Sequence, residues 1–149
     1  MPRMTAAEIA RLCEEHHTGV AAFVTVEEVT DDLLRLRVPY RPEYARAGGT
    51  IAGPILVSAA DAAVYFLVLA HVGAVIDAFT TSIDVHFLRR PAPRDVICHA
   101  RLLKLGKRIA VGDVLLYSDG DPELVAQANV TYALPSGPSA SSAASAAPQ

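Results

Sequence analysis

Polar and apolar positions alternate along this chain with two different periods, and the changeover divides it. Near the start, Ile9, Leu12 and Cys13 recur at helical spacing behind Thr5 and Glu8. Those two have the spacing of a capping box, in which each side chain satisfies backbone donors that a helix start leaves exposed. A short amphipathic helix is therefore expected to open the fold. GVAAFVTVEEVTDDLLRLRVPY then reads as two β-rich runs around a polar turn at Thr30-Asp31-Asp32, a hairpin in which Asp side chains bond nearby backbone. RPEYARAGGT is a loop, broken by Pro42 and by Gly48-Gly49.

The next stretch, IAGPILVSAADAAVYFLVLA from Ile51 to Ala70, is apolar on nearly every helical face. Pro54 suits a first helical position, where a missing N–H costs nothing. The helix is expected to start at Gly53 or Pro54 and to end between Ala70 and Gly73. Beyond it the period drops to two: Phe79, Thr81, Ile83, Val85 and Phe87 should face one way, and Thr80, Ser82, Asp84 and His86 the other. DVICHARLLKL, RIAVGDVLLYS and ELVAQANVTYAL read as three further strands, the last two joined through SDGDPE, a hairpin signal.

A long helix that is apolar all round has to be wrapped, and an antiparallel sheet curled about it does so economically. The expected fold class is α+β, with one domain over residues 1–134. The tail PSGPSASSAASAAPQ, residues 135–149, has no large apolar residue to repay its ordering entropy and is expected to be flexible. Leu103, Leu105, Leu115 and Tyr132 are expected on the remaining sheet surface, where a second copy of the chain would dock.

Composition narrows the chemistry. With 149 residues, 52% hydrophobic, there is core enough for one domain, and a formal net charge of −3 calls for neither nucleic acid nor an anionic membrane. Cys13 and Cys98 have no CxxC or framework spacing, which suits a reducing compartment. The first residues resemble neither a signal peptide nor a membrane span, so a cytoplasmic location is expected. His16, His17, His71, His86 and His99 lack metal-ligand spacing, and no phosphate-binding glycine loop follows a strand; neither metal nor cofactor is expected.

Asp61 is the anomaly. It is the single charged group in the apolar run, with Val57, Ser58, Val64 and Tyr65 as helical neighbours. It is either a structural acceptor or a carboxylate held in a cleft for general base or nucleophilic work. A second anomaly is a basic run, Arg89, Arg90, Arg94, Arg101, Lys104, Lys107 and Arg108, offset by Asp95 alone.

The order of elements, together with GGTIAGPILVSAADAAVYF and TTSIDVHFLRRPAPRDVICHARLLKLGKRIAVGDVLLYSDGDPELVAQANVTYAL, resembles the hotdog-fold acyl-CoA thioesterases of the phenylacetate-pathway (PaaI-like) type. The likeness runs from Gly19 to Leu134. It implies a hotdog fold and hydrolysis of a small or medium acyl-CoA, aromatic acyl groups included, by a homodimer or dimer of dimers with its site at the subunit interface. In that family a His-Gly-Gly motif opens the helix, and its first Gly N–H stabilises the developing oxyanion. Here Ala52-Gly53-Pro54 stands in that place, so the resemblance assigns the donor to Gly53 and the carboxylate to Asp61. The motif His is replaced by Ala52, and Pro54 removes a neighbouring N–H.

A family Asn or Gln that contacts substrate falls on Arg46. A Ser or Thr that positions the attacking water falls on Ser82, or on Thr81 if the register slips by one. The resemblance also offers coenzyme A phosphates to Arg89, Arg90 and Lys107, while Tyr65, Phe66, Ala59, Ala60, Ala62 and Ala63 would shape the acyl pocket. Three alternatives stand beside hydrolysis: a noncatalytic acyl or aromatic ligand carrier, a hydratase or dehydratase of the same fold, and a structural dimerisation module. Against the dehydratase, no His lies between Tyr40 and Asp61.

Overall fold

The computed structural model describes residues 1–16 and 19–136. Most of the expected tail, and His17, lie outside them. Helix α1 (Ala6–Glu15) opens the chain. Strands β1 (Thr25–Val29) and β2 (Leu34–Val38) form the hairpin, followed by the 20-residue helix α2 (Gly53–Val72). Strands β3 (Phe79–Phe87), β4 (Val96–Leu105), β5 (Ile109–Ser118) and β6 (Leu124–Ala133) complete one antiparallel sheet of order β1-β2-β4-β5-β6-β3. α2 packs across β2 to β6. This is the hotdog fold, with the apolar helix buried in the sheet's concave face.

At α1 the capping box is complete: the Glu8 N–H donates to Thr5 Oγ1 at 3.2 Å and the Thr5 N–H to Glu8 Oε2 at 2.7 Å. These bonds hold the Glu8 carboxyl below its usual range, the Thr5 backbone N–H contributing most. Its contribution to stability is therefore full above the unfolded-chain value near 4.5 and fades as the pH falls below it. Thr5→Ala is expected to cost about 1 kcal/mol, read as a fall in Tm of roughly 2–4 °C in a chain of this size.

Two local expectations are corrected. Gly19–Ala22 forms a 3-10 turn, so β1 begins only at Thr25. In the hairpin turn the bonding side chain is Thr30, whose hydroxyl accepts from the N–H groups of Asp32 and Leu33, while the Asp31 carboxylate lies 3.7 Å from the N-terminal amine.

The helix lies close to the sheet because small residues face each other. Ala59, Ala60 and Ala63 on α2, and Ala100, Ala110, Ala126 and Ala128 on the strands, are wholly buried. Gly112 on β5 marks the closest approach: a Cβ there would stand 2.7 Å from Val64 Cγ2.

On β3 the simple alternation fails. Thr80 pairs with Tyr132 but Ser82 pairs with Thr131, so one extra residue, Thr81, is taken up in a β-bulge. The bulge exchanges faces along the strand. Thr80 joins Ile83 and Val85 on the side toward α2, whereas Phe79 and Ser82 turn outward and are exposed. Tyr132 is likewise corrected: it was expected on the outer surface, but with Ala126, Ala128 and Val130 it lies on the helix-facing side of β6 and is only 4% exposed.

Candidate active site

Asp61 sits two turns into α2, half-buried, and hydroxyl groups rather than cations answer its charge. Thr80 Oγ1 donates to Asp61 Oδ1 at 2.5 Å, and the Tyr132 phenol donates to the same oxygen at 2.7 Å. Among the described residues Asp61 has no ion pair. Burial, with a smaller contribution from the adjacent carboxylate, pushes the Tyr132 hydroxyl far above the ordinary phenol range, so it stays protonated and remains a donor.

The carboxylate opens onto a cavity of about 460 Å³ lined by Gly19, Phe23, Ser58, Asp61, Ala62, Tyr65, Ile76 and Tyr132. Three of these, Phe23, Tyr65 and Tyr132, are aromatic. The Tyr65 ring stands 6.1 Å from that of Tyr132, and its hydroxyl donates to the Ile76 carbonyl at 3.1 Å, tying the helix to the loop before β3. Burial raises this phenol to about 12. Of the alanines offered for the acyl pocket, only Ala62 lines the cavity, and Phe66 is turned into the core with Ala59, Ala60 and Ala63.

A second cavity of about 550 Å³ brings together Arg46, Gly53, Phe87, Arg89 and Arg90 with neighbouring loop residues. Gly53 is the first residue of α2, and its N–H has no acceptor among the described residues. The helix entry is fixed by the Ala52 N–H donating to the Tyr44 carbonyl at 2.9 Å, with Pro54 in the first turn. A helix start of this kind presents free N–H groups at its positive dipole end. Arg89 reaches Glu123 at 3.1 Å, whereas Arg46 and Arg90 form no ion pair among the described residues.

The rest of the basic run is dispersed. Arg101 is engaged by Asp113, Arg94 donates to the Asp119 carbonyl, and Asp95 is held by Arg37 and the Tyr40 N–H. Lys107 stands in the β4–β5 turn, at the end of the sheet where Phe79 and Ile109 flank Ala133. That is the Asp61 end, away from Arg89 and Arg90.

The structure thus sorts the expected residues into two groups. Asp61 and Tyr65 share one cavity; Arg46, Gly53, Arg89 and Arg90 share another. Eight residues of α2 separate Gly53 from Asp61, about 12 Å along the axis, too far for both to address one carbonyl within a single chain. Ser82 and Thr81 do not touch Asp61 in this chain; Ser82 is exposed, and Thr81 donates to the Thr131 carbonyl at 3.3 Å. Thr80 and Tyr132, the groups that do bond Asp61, were not among the expected site residues. Among the described residues no cluster of His, Cys, Asp or Glu could hold a metal ion.

Comparison with known proteins agrees with this architecture. A Silicibacter sp. TM1040 protein assigned as a thioesterase superposes with a TM-score of 0.81 at 34% identity, over 91% of this chain and 94% of that one. Thioesterase superfamily member 2 of zebra fish shares the fold, with a TM-score of 0.75 at 16% identity over 89% and 99% of the two chains. A Saccharolobus solfataricus protein assigned as an esterase is 25% identical over 131 residues, 88% of this chain and 86% of the relative. The family model described as Thioesterase superfamily matches residues 48–131, which carry α2, β3, β4, β5 and most of β6. The chain belongs to the Thioesterase superfamily.

Proposed function

We propose that this protein is an acyl-CoA thioesterase of the phenylacetate-pathway type, with Asp61 as general base or nucleophile. The observation that carries this reading is a carboxylate on a buried helix that faces an apolar cavity with hydroxyl partners only. A cationic mate would quench it; hydroxyl donors orient it and leave its charge available. The aromatic cavity beside it suits a small or medium acyl group.

Hydrolysis also needs a donor for the oxyanion, and a second copy of the chain supplies one. β3 is an edge strand of nine residues, paired only with β6 among the described strands. Such an edge is a template for another strand. Two β3 edges paired antiparallel about a twofold axis set the Phe87 end of one beside the Phe79 end of the other. Gly53 lies against Phe87 and Asp61 against Thr80, so this pairing brings the Gly53 N–H and the Arg46, Arg89 and Arg90 cavity of one copy to the Asp61 cavity of its partner. The arginines then receive coenzyme A phosphates by charge-assisted hydrogen bonds.

The test of the activity is a panel of acyl-CoAs with free thiol as the readout: release supports hydrolysis, and binding without release supports the carrier. The test of the shared site uses two inactive variants. Gly53→Pro removes the N–H at a first-turn position that accepts Pro, a Cβ there meets Phe87 at an ordinary 3.6 Å, and Ala52, with ψ 142°, already has the backbone that precedes a Pro. Coexpressed with Asp61→Asn, half the dimers are mixed and each restores one of two sites, so activity is expected to recover to about a quarter of the parent's. No recovery in verified mixed dimers sinks the shared site.

A further inference from the structure

Two hydroxyls converge on one oxygen of Asp61 while the other oxygen is left alone. Thr80 and Tyr132 both donate to Oδ1, at 2.5 and 2.7 Å, and Oδ2 has no partner among the described residues. Tyr132 also lies 3.1 Å from the Asp61 backbone carbonyl. A phenol has one proton, so the shorter bond is the principal one and the longer is its weaker branch. That second contact ties the phenol to the helix backbone as well as to the carboxylate. Had the hydroxyl needed only an acceptor to offset its burial, the backbone carbonyl would have served. Thr80 reaches the same atom because the bulge at Thr81 turns it toward α2.

The geometry points to Tyr132 and Thr80 as a clamp of positioning residues: they pin Oδ1 of Asp61 and so present Oδ2 to the cavity as the working oxygen. The chemistry rests on the thioesterase reading above; the clamp itself rests on the hydrogen bonds. A base or nucleophile must meet its target within hydrogen-bond reach and in a fixed orientation, which a freely rotating carboxylate does not provide. Both clamp residues bond Oδ1 and neither bonds the working oxygen, Oδ2. Their effect is on turnover rather than on substrate affinity.

The experiment compares the full-length protein with Tyr132→Phe, Thr80→Val and Thr80→Ser, measuring kcat and KM on the best acyl-CoA of the panel and the ¹³Cγ resonance of Asp61 by NMR. Tyr132→Phe and Thr80→Val are expected to lower kcat by roughly 10- to 100-fold with KM within about twofold, because a displaced catalytic group loses rate steeply. Thr80→Ser, which keeps the hydroxyl, is expected to retain most of kcat. A kcat within twofold of the parent in both variants, or a loss confined to KM, overturns the clamp. Should Tyr132→Phe fail to fold, the Thr80 pair decides by the same criteria. If the parent hydrolyses no acyl-CoA, the thioesterase reading falls and the resonance decides the clamp: it is expected to move in both hydroxyl-removing variants, and an unmoved signal overturns it.

Discussion

On the proposed reading, Asp61→Asn is expected to fold as the parent does, to bind acyl-CoA with a similar KM, and to lose kcat by about 10²- to 10⁴-fold, the range for removing a positioned base. Asn is isosteric with Asp, and its carbonyl oxygen accepts the Thr80 and Tyr132 hydroxyls as Oδ1 does. The amide nitrogen then takes the place of Oδ2. It can neither accept a proton nor attack a thioester. Since the hydroxyl partners stay satisfied, no buried donor is orphaned, and thermal stability should hold to within a degree or two. A thousandfold loss corresponds to about 4 kcal/mol of transition-state stabilisation. Thiol release by the variant at the parent's rate would remove Asp61 from the chemistry altogether.

The second large effect is on the fold. Gly112→Ala would place a methyl group 2.7 Å from Val64 Cγ2 and 3.1 Å from its Cγ1, with Val64 fully buried. Valine is stiff about its single side-chain torsion, so the clash must push α2 off β5. Overpacking of this kind costs about 1–3 kcal/mol, or roughly 2–12 °C in Tm. Thermal unfolding of the single variant and of Gly112→Ala with Val64→Ala separates causes: the double variant should recover much of the loss in Tm. A single variant as stable as the parent would show that the helix is not seated as closely as described.

Much of the fold was legible because the two hydrophobic periods are clean. The all-round apolar run, interrupted by Asp61 and followed by strands, read as a wrapped helix rather than a membrane span, and Pro54 and Gly73 bound it where the structure does. Asp61 was legible as a candidate for the same reason, being the one charge in that run. What surrounds it was not. Alternation assumes an unbroken strand, and nothing in FTTSIDVHFL marks the bulge that turns Thr80 inward and Phe79 outward. Tyr132 has the composition of an outer-face residue on an amphipathic strand; only the register of β6 against β3 and β5 reveals that its hydroxyl meets a carboxylate 71 positions earlier. Gly53 and Asp61 were expected to address one thioester carbon from a single helix, an expectation that the rise of about 12 Å between them overturns, and the arginine cavity at Gly53 depended on how the loops before α2 and after β3 meet.

The extra residue in β3 makes the strand's length as consequential as its composition. Loss of any one amino acid between Thr80 and Ile83 would straighten the ladder and leave every side chain chemically intact. Yet either Thr80 or the Ile83 and Val85 pair would then have to swing to the opposite surface. An indel of one in this exposed segment would unseat the carboxylate's partner or open the core, whereas a change of residue type there leaves the register of the strand as it is.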